Sequence, residues 1–190
     1  MVNKLIAGID EVGRGTIAGP VVAAAVILDN NCIPSDLDDS KKISNNKRKI
    51  ISDEIFCKAV MWAISYSDAS EIDSINILQA TMLAMRRSIL NLGVYPSSVS
   101  VDGNKIPDLD FFGMSIKGRS VIGGDGTVAE ISAASIIAKV YRDNLMINLD
   151  KVYPGYFFSS HKGYGTKQHL KAIHILGPCP IHRLTFKPFV

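Results

Sequence analysis

The sequence predicts an α/β domain: one mixed five-stranded sheet flanked by helices, with a small helical C-terminal extension. Three observations carry this expectation. Runs rich in β-branched and small apolar residues at 3–10, 21–28 and 59–66 read as strands. Amphipathic helical stretches then alternate with further strands, which places helices on both faces of a mixed sheet. The length of 190 residues suits a single domain with a sizeable core.

The elements follow in order. Residues 3–10 form the first strand. The second, 21–28, is bounded by Gly19-Pro20 and by Asp29-Asn30-Asn31. A helix spans 44–57, capped by Ser44, with Ile50, Ile51, Ile55 and Phe56 as its apolar face. The third strand covers 59–66, with Trp62 assigned to the core along with the methionines. Leu78, Met82, Met85, Ile89 and Leu92 recur at three- and four-residue spacing, so 76–92 is a long amphipathic helix that Gly93 can close. Strands follow at 98–102 and near 114–117. A second long helix runs over 128–149, with Thr127 and Glu130 at capping-box spacing, and a last helix covers 165–176.

Composition narrows the function. No apolar run approaches the length needed to span a bilayer, and the N-terminus shows no secretory pattern. Cys32, Cys57 and Cys179 are odd in number and form no C-x-x-C pair, which points to a reducing cytoplasm and away from zinc or a disulfide framework. All 18 acidic residues precede Lys151, whereas six of the 21 basic ones lie at or beyond it. We therefore divide the chain into a catalytic core, 1–150, and a basic extension, 151–190, packed on that core within a single domain. An acidic body with a basic tail suits a protein that holds metal in one part and a polyanion with the other.

The run Gly8-Ile9-Asp10-Glu11-Val12-Gly13-Arg14-Gly15 places two acids at the end of a strand and an Arg between two glycines just beyond. Phosphodiester hydrolysis uses Mg²⁺ or Mn²⁺, hard ions that take oxygen ligands, and a metal pair needs several carboxylates converging from different elements. Asp102 ends a strand before Gly103, and Asp125 sits among glycines ahead of the 128–149 helix. Neighbouring strand residues point to opposite faces, so Asp10 and Glu11 share one site only if the strand ends or bulges there. Asp108 and Asp110 read as loop acids, and Asp143 as a partner of Lys139 or Arg142.

These motifs resemble ribonuclease HII. The likeness extends through Ala18-Gly19-Pro20, Asp39-Ser40-Lys41-Lys42, Val101-Asp102-Gly103-Asn104, Ile131 to Val140 with Arg142-Asp143, His161-Lys162-Gly163-Tyr164-Gly165-Thr166, and Leu176-Gly177-Pro178 with His182-Arg183. It covers nearly the whole chain, in order. The resemblance implies a ribonuclease H-like fold and a catalytic, metal-binding set of Asp10, Glu11, Asp102 and Asp125, loaded with two Mn²⁺ or Mg²⁺ ions. One departure is Thr16, where the family usually has Pro, an exchange expected to loosen the loop that carries Arg14.

Only the 2′-hydroxyl separates RNA from DNA at a given nucleotide. Gly13 and Gly15 let the backbone approach that hydroxyl, and Arg14 can reach the adjacent phosphate. In the family the residue matching Tyr164 packs on the deoxyribose 3′ of a ribonucleotide, with Lys162 beside it; Ser40, Lys41 and Lys42 resemble the phosphate-contacting stretch. Ser132, Ser135, Lys139 and Arg142 share one face of the 128–149 helix, as either a phosphate track or a solvated stripe. His161 and His182 suit loop positioning or phosphate contact. His169 and His174 are five apart, the wrong spacing for a metal pair on one helical face.

The expected activity is metal-dependent hydrolysis of the RNA strand of RNA–DNA hybrids. It includes incision 5′ of single ribonucleotides embedded in duplex DNA, leaving 3′-hydroxyl and 5′-phosphate ends, in ribonucleotide and primer removal. A monomer without a membrane or an evident replication-clamp docking peptide is expected. A nuclease of the same fold with another substrate and a non-catalytic hybrid-binding module are the rivals.

Overall fold

The structure is a computed structural model that describes residues 5–34, 37, 43–111 and 113–190. Its strands are β1 (Ile6–Val12), β2 (Val21–Ile27), β3 (Met61–Ser67), β4 (Ser98–Asp102), β5 (Asp110–Phe111), β6 (Met114–Ser115) and β7 (Lys117–Val121). The helices are α1 (Asn45–Lys58), α2 (Ala69–Leu90), α3 (Ala129–Val152), α4 (Phe158–His161) and α5 (Lys167–Leu176), with a 3₁₀ turn at Gly124–Gly126. The five-stranded sheet has the order β3-β2-β1-β4-β7; β1 pairs antiparallel with β2 and parallel with β4. It is the mixed sheet the sequence predicts, with helices on both faces.

Alternation sorts the side chains of β1 between two cores. Ala7 and Ile9 face α2 together with Val99, Val101, Ala84 and Met85. Val22, Ala24 and Val26 of β2 face α1 and α3 with Ile51, Ile55, Ala134 and Ile137. Every residue of β2 is buried, which explains its near-continuous Val-Ala run: covered on both faces, it has no polar side to show. Gly8 is where α3 crosses β1, because a Cβ there would stand 2.1 Å from the Glu130 carbonyl carbon. A third cluster joins Ala18 and Met146 to Tyr156, Phe158 and Ala172 of the C-terminal segment.

Several expectations change in detail. The fifth sheet strand is β7, at 117–121; the segment near 114–117 instead contributes β6 to a separate two-stranded ladder with β5. Helix α2 begins seven residues before 76, with Asp68 and Glu71 forming a capping box, and breaks at Asn76, which has φ +66°. Asn76 caps the second segment by accepting from the N–H groups of Leu78 and Gln79, so the amphipathic pattern marked that segment alone. Asn91, not Gly93, is the C-cap. Thr127 does not cap α3: the N-cap is Val128, and the Thr127 hydroxyl donates to the Gly123 carbonyl instead. Ser44 caps α1 as expected, but Ile50 is exposed.

Trp62 is 43% exposed, not core. It lies on the sheet's edge strand, where its ring packs on Phe56 of α1 at 4.6 Å between ring centroids. Among the described residues, no helix is long and apolar enough to cross a membrane.

Candidate active site

The site forms at the carboxyl ends of β1 and β4, parallel neighbours whose chains leave in opposite directions across the sheet. Ligand sites in open α/β sheets gather at such crevices. One step beyond the last registered pair, Ile9 with Val101, stand Asp10 and Asp102 on the α3 face. Asp125 arrives from the 3₁₀ turn ahead of α3. The Gly124 N–H donates to Asp102 Oδ1 at 2.8 Å, and the Ser132 hydroxyl donates to the Asp125 carbonyl at 2.5 Å, so β4, the turn and the helix hold one another. One carboxylate oxygen from each of Asp10, Asp102 and Asp125 lies within 4.8 Å of the others.

Glu11 stands beside this cluster. The ladder between β1 and β2 runs unbroken from Ala7 to Val12, so the strand neither ends nor bulges at Asp10, contrary to what a shared site was expected to need. Glu11 therefore faces the α2 side, in a cleft with Leu78, Met82, Met85, Asn104 and Lys105. Arg14 Nη1 pairs with Glu11 Oε1 at 3.3 Å.

Burial first, then Glu11 and Asp102, push the Asp10 carboxyl well above the usual range, against hydrogen bonds from Ser135 and from the Glu11 N–H at 2.7 Å. Burial also raises Glu11; Arg14 opposes that shift and Asp102 adds to it. Acids packed this closely call for positive charge to balance them.

The ribonuclease HII family model matches residues 7–189. The chain belongs to the ribonuclease HII family. It is thus a ribonuclease H: a divalent-metal-dependent endonuclease that acts on RNA–DNA hybrids. Solved structures share its fold. Pyrococcus horikoshii ribonuclease H2 matches with a TM-score of 0.80 at 23% identity, over 97% of this chain and 94% of that one. Ribonuclease HII of Archaeoglobus fulgidus, solved in a complex with PCNA, matches with a TM-score of 0.80 at 24% identity, over 96% and 95%. Bst-RNase HIII in complex with Mn²⁺ gives 0.75 at 19% identity, over 97% of this chain and 68% of that one. At these identities the likeness is one of fold.

The donor set fits the family's metal. Three aspartates offer only hard oxygen ligands, the chemistry Mg²⁺ and Mn²⁺ select, and a bound cation would relieve the repulsion among them.

The other candidates fall into three groups. Gly13, Arg14 and Gly15 form the turn after β1, and the loop of Gly163, Tyr164 and Gly165 packs against that turn's continuation: the Ile17 N–H donates to the Gly163 carbonyl at 2.9 Å. Gly163 must lack a side chain, since a Cβ would sit 2.3 Å from the Ala18 carbonyl oxygen. Tyr164 is 45% exposed, and the Lys162 ammonium donates to the Ser159 carbonyl. Lys139 pairs with Asp143 at 2.8 Å. Ser40, Lys41 and Lys42 lie outside the described residues.

Apart from Lys139, the stripe on α3 is neither phosphate track nor solvated face. Ser132, Ser135 and Arg142 are buried, Ser135 on Asp10 and Arg142 among backbone carbonyls. Arg183, counted with the basic tail, is also buried and bonds the 13–19 loop. Sequence reasoning missed both because an Arg reads as surface charge unless its partners are known. Thr16 does not loosen the loop: fully buried, its hydroxyl donates to the Gly13 carbonyl at 3.0 Å and accepts from Arg142 Nη2 at 2.9 Å.

Proposed function

We propose that this ribonuclease H incises duplex DNA 5′ of a single embedded ribonucleotide, as well as longer RNA–DNA hybrids, leaving 3′-hydroxyl and 5′-phosphate ends. The observation that carries the reading is the convergence of Asp10, Asp102 and Asp125 at the foot of a Gly-Arg-Gly turn. Glu11 completes the set from the neighbouring face. Bound Mg²⁺ or Mn²⁺ would supply an activated water and neutralise charge on the leaving oxygen. The protein's own part is to hold the acids and to read the sugar. Ser135 and the Glu11 N–H orient Asp10, and the Gly124 N–H orients Asp102. Gly15, with nothing within 4 Å of its Cβ position among the described residues, leaves room for a ribose against the backbone.

Arg14 reaches phosphate once it exchanges its Glu11 contact. The exposed Tyr164 ring offers a stacking face for the sugar on the 3′ side, with Lys162 next to it. Ser40, Lys41 and Lys42 extend the phosphate contacts, and Lys139 adds another on release from Asp143. Ribonucleotide and primer removal are the processes such cleavage serves. We take the enzyme to act as a cytoplasmic monomer, a compartment that its three free cysteines suit. Core and basic extension act as one unit, since the extension supplies Lys162 and Tyr164.

The decisive experiment compares a DNA duplex carrying one ribonucleotide with its all-DNA twin, with Mg²⁺, with Mn²⁺ and with chelator. Metal-dependent incision 5′ of the ribonucleotide and none of the twin is the expected result. Equal cutting of both duplexes would favour the rival nuclease, and no cutting of any hybrid would favour the binding module.

A further inference from the structure

Two buried guanidinium groups grip the loop between β1 and β2. Arg183 donates to the carbonyls of Gly13 at 2.7 Å, Arg14 at 2.9 Å and Thr16 at 2.7 Å, and twice to Gly19 at 3.0 and 2.8 Å. Arg142 donates to the carbonyls of Pro20 and Lys162 at 2.9 Å and of Ala18 at 3.1 Å, and to the Thr16 hydroxyl at 2.9 Å. Both side chains are fully buried, and no carboxylate bonds either among the described residues. Burial lowers Arg142 to about 10 and Arg183 to about 9, so both remain cationic at neutral pH. Two buried charges answered by carbonyl dipoles, one hydroxyl and the Phe186 ring are a costly arrangement if all they do is hold a surface loop.

The carbonyls they select are informative. Each carbonyl belongs to the same peptide unit as the next residue's N–H, and a cation bonded to the oxygen makes that N–H a stronger donor. The Gly13 and Arg14 carbonyls therefore polarise the N–H groups of Arg14 and Gly15. The Thr16 carbonyl polarises the Ile17 N–H, which already donates to Gly163 beside Tyr164. Gly13 also leaves its Cβ position to Arg142, whose Nε would lie 2.2 Å away. Arg142 bonds residues of both loops, so the two move as one body.

We propose that Arg183 and Arg142, coupled through Thr16, are positioning residues for sugar discrimination. They fix the Gly13–Thr16 backbone and strengthen the Arg14 and Gly15 N–H groups as donors to the ribose 2′-oxygen. The inference rests on the reading of the Gly-Arg-Gly turn given above. It adds that Arg142 of α3 and Arg183 of the C-terminal extension, both buried away from the substrate, set how strongly that turn prefers RNA.

The test measures affinity for a DNA duplex with one ribonucleotide and for its all-DNA twin, in an Asp10→Asn background that prevents cleavage. Arg183→Lys keeps the charge and loses the fork that spans four carbonyls. The preference for the ribonucleotide should fall about tenfold, the worth of one charge-assisted hydrogen bond, while affinity for the all-DNA duplex holds. A purely structural Arg183 would lower both affinities together and leave their ratio unchanged, and that result overturns the proposal. Thr16→Val, which removes only the linking hydroxyl, should reduce the preference about threefold with a near-normal melt. If Arg183→Lys does not fold, an unchanged preference in Thr16→Val overturns the proposal on its own. Failure of the underlying reading looks different: the Asp10→Asn protein itself would show no preference for the ribonucleotide.

Discussion

Asp10 is the residue on which the site turns, and its surroundings make a sharp prediction. Asp10→Asn keeps the shape of a ligand and removes its charge, as do Asp102→Asn and Asp125→Asn. Each should reduce metal-dependent cleavage of a hybrid about a thousandfold or more, the scale of losing several kcal/mol of transition-state stabilisation. None should lower the melting temperature without metal, because each relieves repulsion among acids whose oxygens lie within 4.8 Å. Near wild-type turnover in the Asp10 or Asp102 variant would refute the assignment. Gly15→Ala is a complementary probe. Among the described residues nothing stands within 4 Å of its added methyl, so the thermal melt should be unchanged while kcat/KM on the single-ribonucleotide duplex drops. A lowered melt with proportionate loss on every substrate would mean that Gly15 serves the fold alone. The half-exposed ring of Tyr164 makes a third case. Stacking contributes about 1–3 kcal/mol, so Tyr164→Ala should lose roughly ten- to hundredfold in kcat/KM at a single ribonucleotide with an unchanged melt. Unchanged kinetics would retire its role at the sugar.

At the scale of elements, helix α2 shows how one residue divides a helix and aims half of it. Asn76 holds a positive φ and caps the segment whose Leu78, Met82 and Met85 line the cleft beside Glu11 and Asp102. Asn76→Ala loses the cap, about 1 kcal/mol, and also gives up the greater tolerance of Asn for a positive φ. Asn76→Gly accepts the φ and caps nearly as well, so it should cost only a few tenths of a kcal/mol. Urea unfolding of the pair checks this, and equal losses would show that the break owes nothing to the Asn76 backbone. The break was hidden because the apolar period of 78–92 is continuous, while the 69–75 segment is set by the Asp68–Glu71 capping box and the pairing of Arg87 with Glu71 at 2.6 Å.

Across the whole molecule, the C-terminal extension is organised around a buried histidine cluster of its own. His161 and His169 stack at 4.3 Å, and His169 Nε2 meets His182 Nε2 at 3.0 Å. One neutral assignment satisfies every contact except the 3.2 Å approach of His182 Nδ1 to the Cys179 carbonyl oxygen. His182 Nδ1 accepts from the Cys179 N–H and its Nε2–H donates to His169, whose Nδ1–H donates to the Tyr164 carbonyl; His161 accepts from the Gly163 N–H and donates to the Tyr156 carbonyl. A further proton would set N–H against N–H. Burial accordingly lowers all three, His169 to about 4. Between about 6.5, the ordinary histidine value, and about 4, these histidines bind more protons in the unfolded chain than in the folded one. Their contribution to stability therefore falls as pH drops through that window, while the raised Asp10 and Glu11 carboxyls contribute in the opposite sense. Unfolding free energies at pH 7.5, 6 and 5 check the sign. The histidine part is the difference between wild type and His169→Gln, and an equal slope in the two would show that the cluster does not contribute.

The local order of the chain determined most of the elements and marked the acids that the fold brings together at Asp10, Asp102 and Asp125. Apolar period distinguishes strand from helix, and carboxylates at strand ends or among glycines stand out wherever the fold places them. Tertiary structure alone decided three things. It set Asp10 and Glu11 on opposite faces, because the β1 ladder runs on unbroken through Val12. It turned Arg142 and Arg183 from surface charge into buried clamps, since their partners are backbone carbonyls, which every residue carries and no side-chain pattern reveals. It gave Thr16 a structural use, as a hydroxyl between Arg142 and the Gly13 carbonyl. Pattern reports which side chains seek the interior; it is silent on which backbone atoms, distant in sequence, will meet them there.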